Sequence, residues 1–96
     1  MTELSADDEA LVSLIALCAI RDQQALKKLY DRTAPFLNGV AYRLLNSQEL
    51  SNEVLQDAFV QIWQNASVYR VDKAKPMTWL TSIVRYRALD KLQSEK

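Results

Sequence analysis

The chain has 96 residues, 49% of them hydrophobic, and its 12 Lys and Arg balance 12 Asp and Glu to a formal net charge of zero. One Gly, two Pro and one Cys are too few for the turns of an all-β fold or for a disulfide-stapled scaffold, and favour helices joined by short loops. A chain of this length buries about 60–70% of its unfolded surface around one modest core, so a single domain is expected over residues 1–96.

No apolar run approaches the roughly 18 residues of a membrane span, and the N-terminal stretch MTELSADDEA is acidic where a signal peptide is basic. These features predict a cytoplasmic chain without membrane insertion. Cys18, the only cysteine, lies in the apolar run LVSLIALCAI and is expected to pack as a small hydrophobe. The zero net charge hides a division. Residues 1–69 hold five Lys/Arg against nine Asp/Glu, a balance of −4, whereas residues 70–96 hold seven against three, a balance of +4. A basic C-terminal third on an acidic body suggests two different partners, one of them anionic.

In chain order, Ser5-x-x-Asp8 resembles a capping box and opens a first helix with Leu11, Leu14, Ile15 and Cys18 at helical spacing. Asp22 is suited to cap a second helix, QQALKKLYDR, with Ala25, Leu26, Leu29 and Tyr30 turned inward. Pro35 either kinks that helix or lies in the first turn of a new one capped by Thr33, and the sequence leaves both open. Either Ser47 or Ser51 caps the next helix, which is expected to continue to about Ala66. SVYRVDKAK reads as the longest loop, and Pro76 fits the first turn of a last helix running to about Gln93. The predicted fold class is all-α, a compact bundle of four to five helices.

Two faces of the third major helix separate cleanly. Val54, Leu55, Ala58, Phe59, Ile62 and Trp63 form a core stripe. Opposite it, Glu53, Gln56, Asp57, Val60, Gln61 and Gln64 recur at helical intervals. A solvated helix back is the ordinary reading of such a stripe, but soluble helices more often place Lys/Glu pairs there. Its uncharged C-terminal end with Val60 suggests a surface on which another helix docks.

The last helix has a second unusual face. At about 100° per residue, Leu80, Ile83 and Val84 point to the core, while Thr78, Ser82 and Arg85 point nearly the opposite way beside Trp79 and Tyr86. Aromatic rings next to cations and hydroxyls suit single-stranded nucleic acid, whose bases stack and whose phosphates take Lys or Arg. Lys73 and Lys75 extend that track. Trp79 also fits a core aromatic at the bundle edge, and Arg87, three residues before Asp90, is expected to form a local ion pair.

The stretches LYDRTAPFLNGVAYRLL, SNEVLQDAFVQIWQNASVY and KPMTWLTSIVRYRALDKL resemble, in order and spacing, region 2 of bacterial extracytoplasmic-function (ECF) sigma factors. The resemblance covers about residues 10–93. The combination of LQDAFVQIW with Trp79, Leu80, Ile83, Arg85 and the Leu89-Asp90 pair is more specific than any one motif. It implies that Glu53, Gln56, Asp57, Val60 and Gln61 dock on the β′ clamp helices of core RNA polymerase. It further implies that Lys73, Lys75, Thr78, Trp79, Ser82, Arg85 and Tyr86 contact the unpaired non-template strand of the promoter minus-ten element. An anti-sigma factor is the family-typical regulatory partner.

The resemblance has departures. Asn52-Glu53 stands where an acidic pair is usual, and Tyr86 and Gln93 stand where Asn and Arg are common. Tyr86 replaces an amide that reads a base edge with a stacking phenol, so no promoter sequence carries over. Nothing here resembles region 4, the helix-turn-helix module, and the chain is expected to be a fragment of a longer protein. There is no His, no Gly-rich phosphate loop and no Cys pair, so neither an enzyme, a metal site nor a cofactor is expected. The alternative reading is a helical protein-interaction module, held by an anti-sigma-like regulator and without a productive DNA role.

Overall fold

Local capping chemistry sets the helix boundaries. The computed structural model describes residues 3–94, which form α1 (Ala6–Ala19), α2 (Gln23–Leu45), α3 (Gln48–Asn65), a short 3₁₀ turn (Ala66–Val68) and α4 (Pro76–Ser94). Ser5 and Asp8 exchange reciprocal bonds of 3.0 and 3.2 Å, completing the capping box and satisfying two backbone donors that the helix cannot. Asp22 accepts from the Ala25 N–H. Of the two serines, Ser47 is the cap, accepting from Leu50 N–H, while Ser51 is buried inside α3 and donates to the Ser47 carbonyl at 2.7 Å.

The α1–α2 junction turns without glycine. Arg21 adopts φ 67°, its N–H bonds to the Cys18 carbonyl and that of Asp22 to the Leu17 carbonyl, the double closure of a Schellman motif. A non-glycine residue there is strained by about 1–2 kcal/mol. Arg21 is held by its own side chain: Nη1 donates to the Trp63 carbonyl at 2.6 Å and the guanidinium lies 5.2 Å from the Trp63 ring centroid. Asn46 ends α2 in the same left-handed region at φ 52°, which asparagine tolerates.

The two alternatives at Pro35 resolve into one helix. α2 runs unbroken through Pro35, and Thr33 is buried with its hydroxyl donating to the Leu29 carbonyl at 2.7 Å, so it caps nothing. Pro35 is exposed, as is Asp31, whose carbonyl has no N–H to accept from at Pro35. The buried residues of α2 are Ala25, Leu29, Thr33, Leu37, Ala41 and Leu45. Four-residue steps shift the buried line by about 40° each time, so it winds around the helix. Accordingly α2 packs against α1, α3 and α4 in turn. Tyr30 lies off this line and is 40% exposed, contrary to its expected inward direction.

The core joins Leu11, Ile15 and Cys18 of α1 with Val54, Leu55, Ala58, Phe59 and Ile62 of α3 and Leu80, Ile83, Val84 and Ala88 of α4, around the α2 seam. Each fully buried Leu or Ile contributes roughly 1.5–3 kcal/mol. Cys18 is one of these buried side chains, and burial, with Asp22 nearby, pushes its thiol pKa up. Trp63, expected in the core, is half-buried at its edge beneath Arg21. No helix among the described residues is long and apolar enough to cross a membrane.

Candidate nucleic-acid interface

The segment between the 3₁₀ turn and α4 is folded onto itself. Tyr69 donates its hydroxyl to the Ala74 carbonyl at 2.8 Å, and Arg70 takes Asp72 through two 3.0 Å bonds. Backbone N–H groups of Lys73 and Ala74 both reach the Arg70 carbonyl. The Tyr69 ring also lies 4.9 Å from that of Trp79, which ties the loop to the first turn of α4. Burial and the Asp8 charge push the Tyr69 phenol pKa up, whereas the Arg70 hydrogen bond holds the Asp72 carboxyl below its usual range.

This fold sorts the basic residues by availability. Arg70 is neutralised by Asp72. Arg87 is not paired with Asp90: its Nε donates to Gln61 Oε1 at 2.6 Å. α3 packs alongside α4 and offers an acceptor across the helix pair, which overrides the local i, i+3 partner. Lys91 meets Glu53 at 3.6 Å. Lys73, Lys75 and Arg85 form no ion pair among the described residues, and all three are exposed.

Thr78, Ser82 and Arg85, placed on one face by helical spacing, line a single open cleft of about 430 Å³. Its other walls are Thr81, Met77 and Phe36 of α2, with no acidic residue among them. Phe36, which no motif or helical spacing singles out, is 60% exposed. Ser82 donates its proton to the Trp79 carbonyl at 2.7 Å, which leaves its oxygen lone pairs as acceptors. Trp79 is half-buried against the core, while Tyr86 is 67% exposed. The strand-contact candidates therefore divide: Thr78, Ser82 and Arg85 share the cleft, Lys73 and Lys75 belong to the loop, Trp79 joins loop to helix, and Tyr86 stands in solvent.

The α3 stripe also divides. Glu53, Gln56, Asp57 and Val60 are exposed, and Gln61 is half-buried. Gln56 and Val60 border a groove of about 530 Å³ whose floor is Leu26, Tyr30, Phe59 and Trp63. Tyr30 meets Phe59 edge-on at 4.9 Å between centroids. Glu53 and Gln61 instead hold Lys91 and Arg87 of α4.

Residues 29–96 match the family model of sigma-70 region 2. The chain belongs to that family. It is 36% identical over 83 residues to an ECF RNA polymerase sigma factor SigK of Mycobacterium sp. (strain KMS), an alignment covering 86% of this chain and 43% of the relative. The SigK of Mycolicibacterium vanbaalenii is 33% identical over 86 residues, covering 90% of this chain and 44% of the relative. That of Mycobacterium bovis (strain BCG / Pasteur 1173P2) is 31% identical over 93 residues, covering 97% and 48% respectively. The chain thus spans less than half the length of these relatives, and its helices are those of an ECF-type sigma region 2 domain. Within this sigma region 2 domain, α3 and α4 carry both candidate surfaces, and α2 supplies one wall to each groove.

Proposed function

We propose that this domain serves an ECF-type RNA polymerase sigma factor in transcription initiation. In this reading α3 docks on the β′ clamp helices of core polymerase, and the 69–75 loop with α4 holds the unpaired non-template strand of the minus-ten element. One observation carries the nucleic-acid half: Arg85, Thr78 and Ser82 line a cleft without an acidic residue, beside the exposed cations Lys73 and Lys75. Unpaired bases and phosphates require that combination of apolar wall, hydroxyl and cation. The exposed stripe Gln56, Asp57 and Val60, beside a groove floored by Leu26 and Phe59, supports the docking half. The acidic body limits binding to DNA until polymerase positions the domain.

The α2–α3 groove also favours a second reading. Its apolar floor suits a helix of an anti-sigma-like regulator, which would occupy the domain without any DNA role. Salt dependence separates the two, since phosphate contacts weaken steeply with salt and apolar docking does not.

The test is capture of core polymerase by wild type and by Asp57→Arg, followed by crosslinking of the captured complex to an unpaired minus-ten strand. Capture lost in a folded Asp57→Arg variant, with wild-type crosslinks between Lys73 and Tyr86, is the expected result. A folded wild type that fails to capture polymerase would leave only the regulator-bound reading.

A further inference from the structure

We infer that Arg21 is a positioning residue: its side chain holds Trp63 in the floor of the α2–α3 groove and so sets how tightly that groove grips a docking helix. The inference rests on the docking reading of α3 and extends it to the α1–α2 corner, which carries no residue of that stripe. Backbone strain is the starting observation. Arg21 sits at φ 67°, where glycine fits without cost and a non-glycine residue persists only if its surroundings hold it there. The strained position therefore gives the chain something that glycine lacks, a long side chain that reaches another helix.

That side chain makes two contacts, both with Trp63. Nη1 donates to the Trp63 carbonyl at 2.6 Å, and the guanidinium carbon stands 5.2 Å from the ring centroid. The carbonyl lies in the last turn of α3, which has no basic residue of its own, so Arg21 brings a cation to the negative end of that helix dipole. A planar guanidinium bonds the carbonyl and lies over the ring together, a geometry that a lysine ammonium does not match. Trp63 is otherwise only half-buried. It shares the floor of the 530 Å³ groove with Leu26, Tyr30 and Phe59, and Gln23, two residues beyond Arg21, borders the same groove. A half-exposed tryptophan in an apolar groove is the kind of residue that dominates a docking interface, and it does so most when its ring is already ordered. Arg21 supplies that order from outside, since it is not among the groove walls, and it acts on a partner through Trp63.

The experiment pairs capture of core RNA polymerase by the full chain with NMR of the two tryptophan indole N–H groups, Trp79 serving as the reference for Trp63. Arg21→Gly removes the side chain and the strain together. Arg21→Asn removes the side chain but keeps a residue that tolerates the left-handed region, so agreement between the two isolates the loss of the guanidinium. Both are expected to raise the mobility of the Trp63 indole, to leave that of Trp79 unchanged, and to weaken polymerase capture about two- to tenfold, the cost of ordering one side chain on docking. Arg21→Lys, which keeps the charge, is expected to recover part of the loss. In a Trp63→Leu background, Arg21→Gly is expected to have no further effect on capture. Wild-type capture by both Arg21→Gly and Arg21→Asn would overturn the inference and leave the docking reading in place. The same loss with and without the Trp63 ring would show that Arg21 merely braces α1 against α3, and would overturn it as well. A folded wild type that captures no polymerase would sink the docking reading and the inference with it.

Discussion

Arg87 on α4 donates its Nε–H to the Gln61 side-chain carbonyl on α3 at 2.6 Å. Together with Lys91 and Glu53 at 3.6 Å, this contact fastens two residues of the α3 stripe proposed to meet polymerase to the helix that carries the proposed strand contacts. A hydrogen bond to a charged donor at a half-buried site is worth about 1.5–3 kcal/mol, and a neutral one about 1. Water access lowers the value here toward the smaller figure. Gln61→Ala and Arg87→Ala are each expected to cost about 1 kcal/mol, with a coupling of about 0.5–1.5 kcal/mol in the double variant. Urea unfolding of the four proteins of that cycle measures it. Additive losses would mean that the two side chains are neighbours without an energetic link. Asp57→Arg, exposed and without a partner among the described residues, is expected to shift stability by less than about 0.5 kcal/mol.

Two residues of α2 weaken the helix they belong to. Pro35 removes one backbone donor, and a helix-interior proline costs about 3 kcal/mol relative to alanine. Pro35→Ala also frees the unfolded chain, which returns about 0.4–1 kcal/mol. Gly39 is exposed on the same helix, and a Cβ there meets nothing within 4 Å. Gly39→Ala is expected to stabilise by about 0.5–1 kcal/mol and Pro35→Ala by about 2–2.5 kcal/mol. Thermal unfolding reads both, and a lower melting temperature for Pro35→Ala would show that the packing around Leu37 depends on the proline.

Helix starts were legible because capping is local chemistry. Ser5 with Asp8, Asp22 and Pro76 mark their boundaries within a few residues of sequence. The continuity of α2 was not legible. Whether a proline ends a helix depends on the core contacts on either side of it, here the buried Thr33 and Leu37, which only the tertiary structure supplies. The same limit explains Arg87: sequence proximity pointed to Asp90, and the partner came from another helix. Helical spacing placed Thr78, Ser82 and Arg85 on one face, as found. It gave no sign of Phe36, because an aromatic beside an apolar seam is not marked out by spacing alone, and only the packed structure shows that it is 60% exposed. Tyr30 likewise lies off the buried line of α2, edge-on to Phe59 of α3 and 40% exposed.

The Tyr69 hydroxyl closes the loop that presents Lys73 and Lys75. Tyr69→Phe keeps the ring contact with Trp79 and removes that one bond, for an expected loss of about 1 kcal/mol. Faster amide exchange confined to residues 70–75 is the companion signature. The phenol pKa is raised in the folded protein, so the neutral form is the one the fold favours. Its contribution is complete below the unfolded tyrosine pKa of about 10 and is lost as pH rises through the higher folded value. A difference titration of tyrosinate absorbance between wild type and Tyr69→Phe should therefore show Tyr69 ionising above its free value. Ionisation at or below that value would mean that burial and the Asp8 charge do not act on the phenol.

Arg85 and Arg87 lie two residues apart on α4 and should behave as opposites. Arg85 is exposed and its guanidinium is unpaired among the described residues, so its alanine variant is expected to change stability by no more than about 1 kcal/mol. It should nevertheless weaken crosslinking of the polymerase-bound domain to an unpaired minus-ten strand, and the deficit should shrink as salt rises, because high salt already suppresses the phosphate contact it removes. Arg87→Ala is expected to lower the urea midpoint through the lost Gln61 bond and to leave strand crosslinking close to wild type once the variant is fully folded. Stability lost in Arg85→Ala with unchanged crosslinking would return Arg85 to a structural role. The strand-facing surface would then have to be built from Lys73, Lys75 and Tyr86 alone.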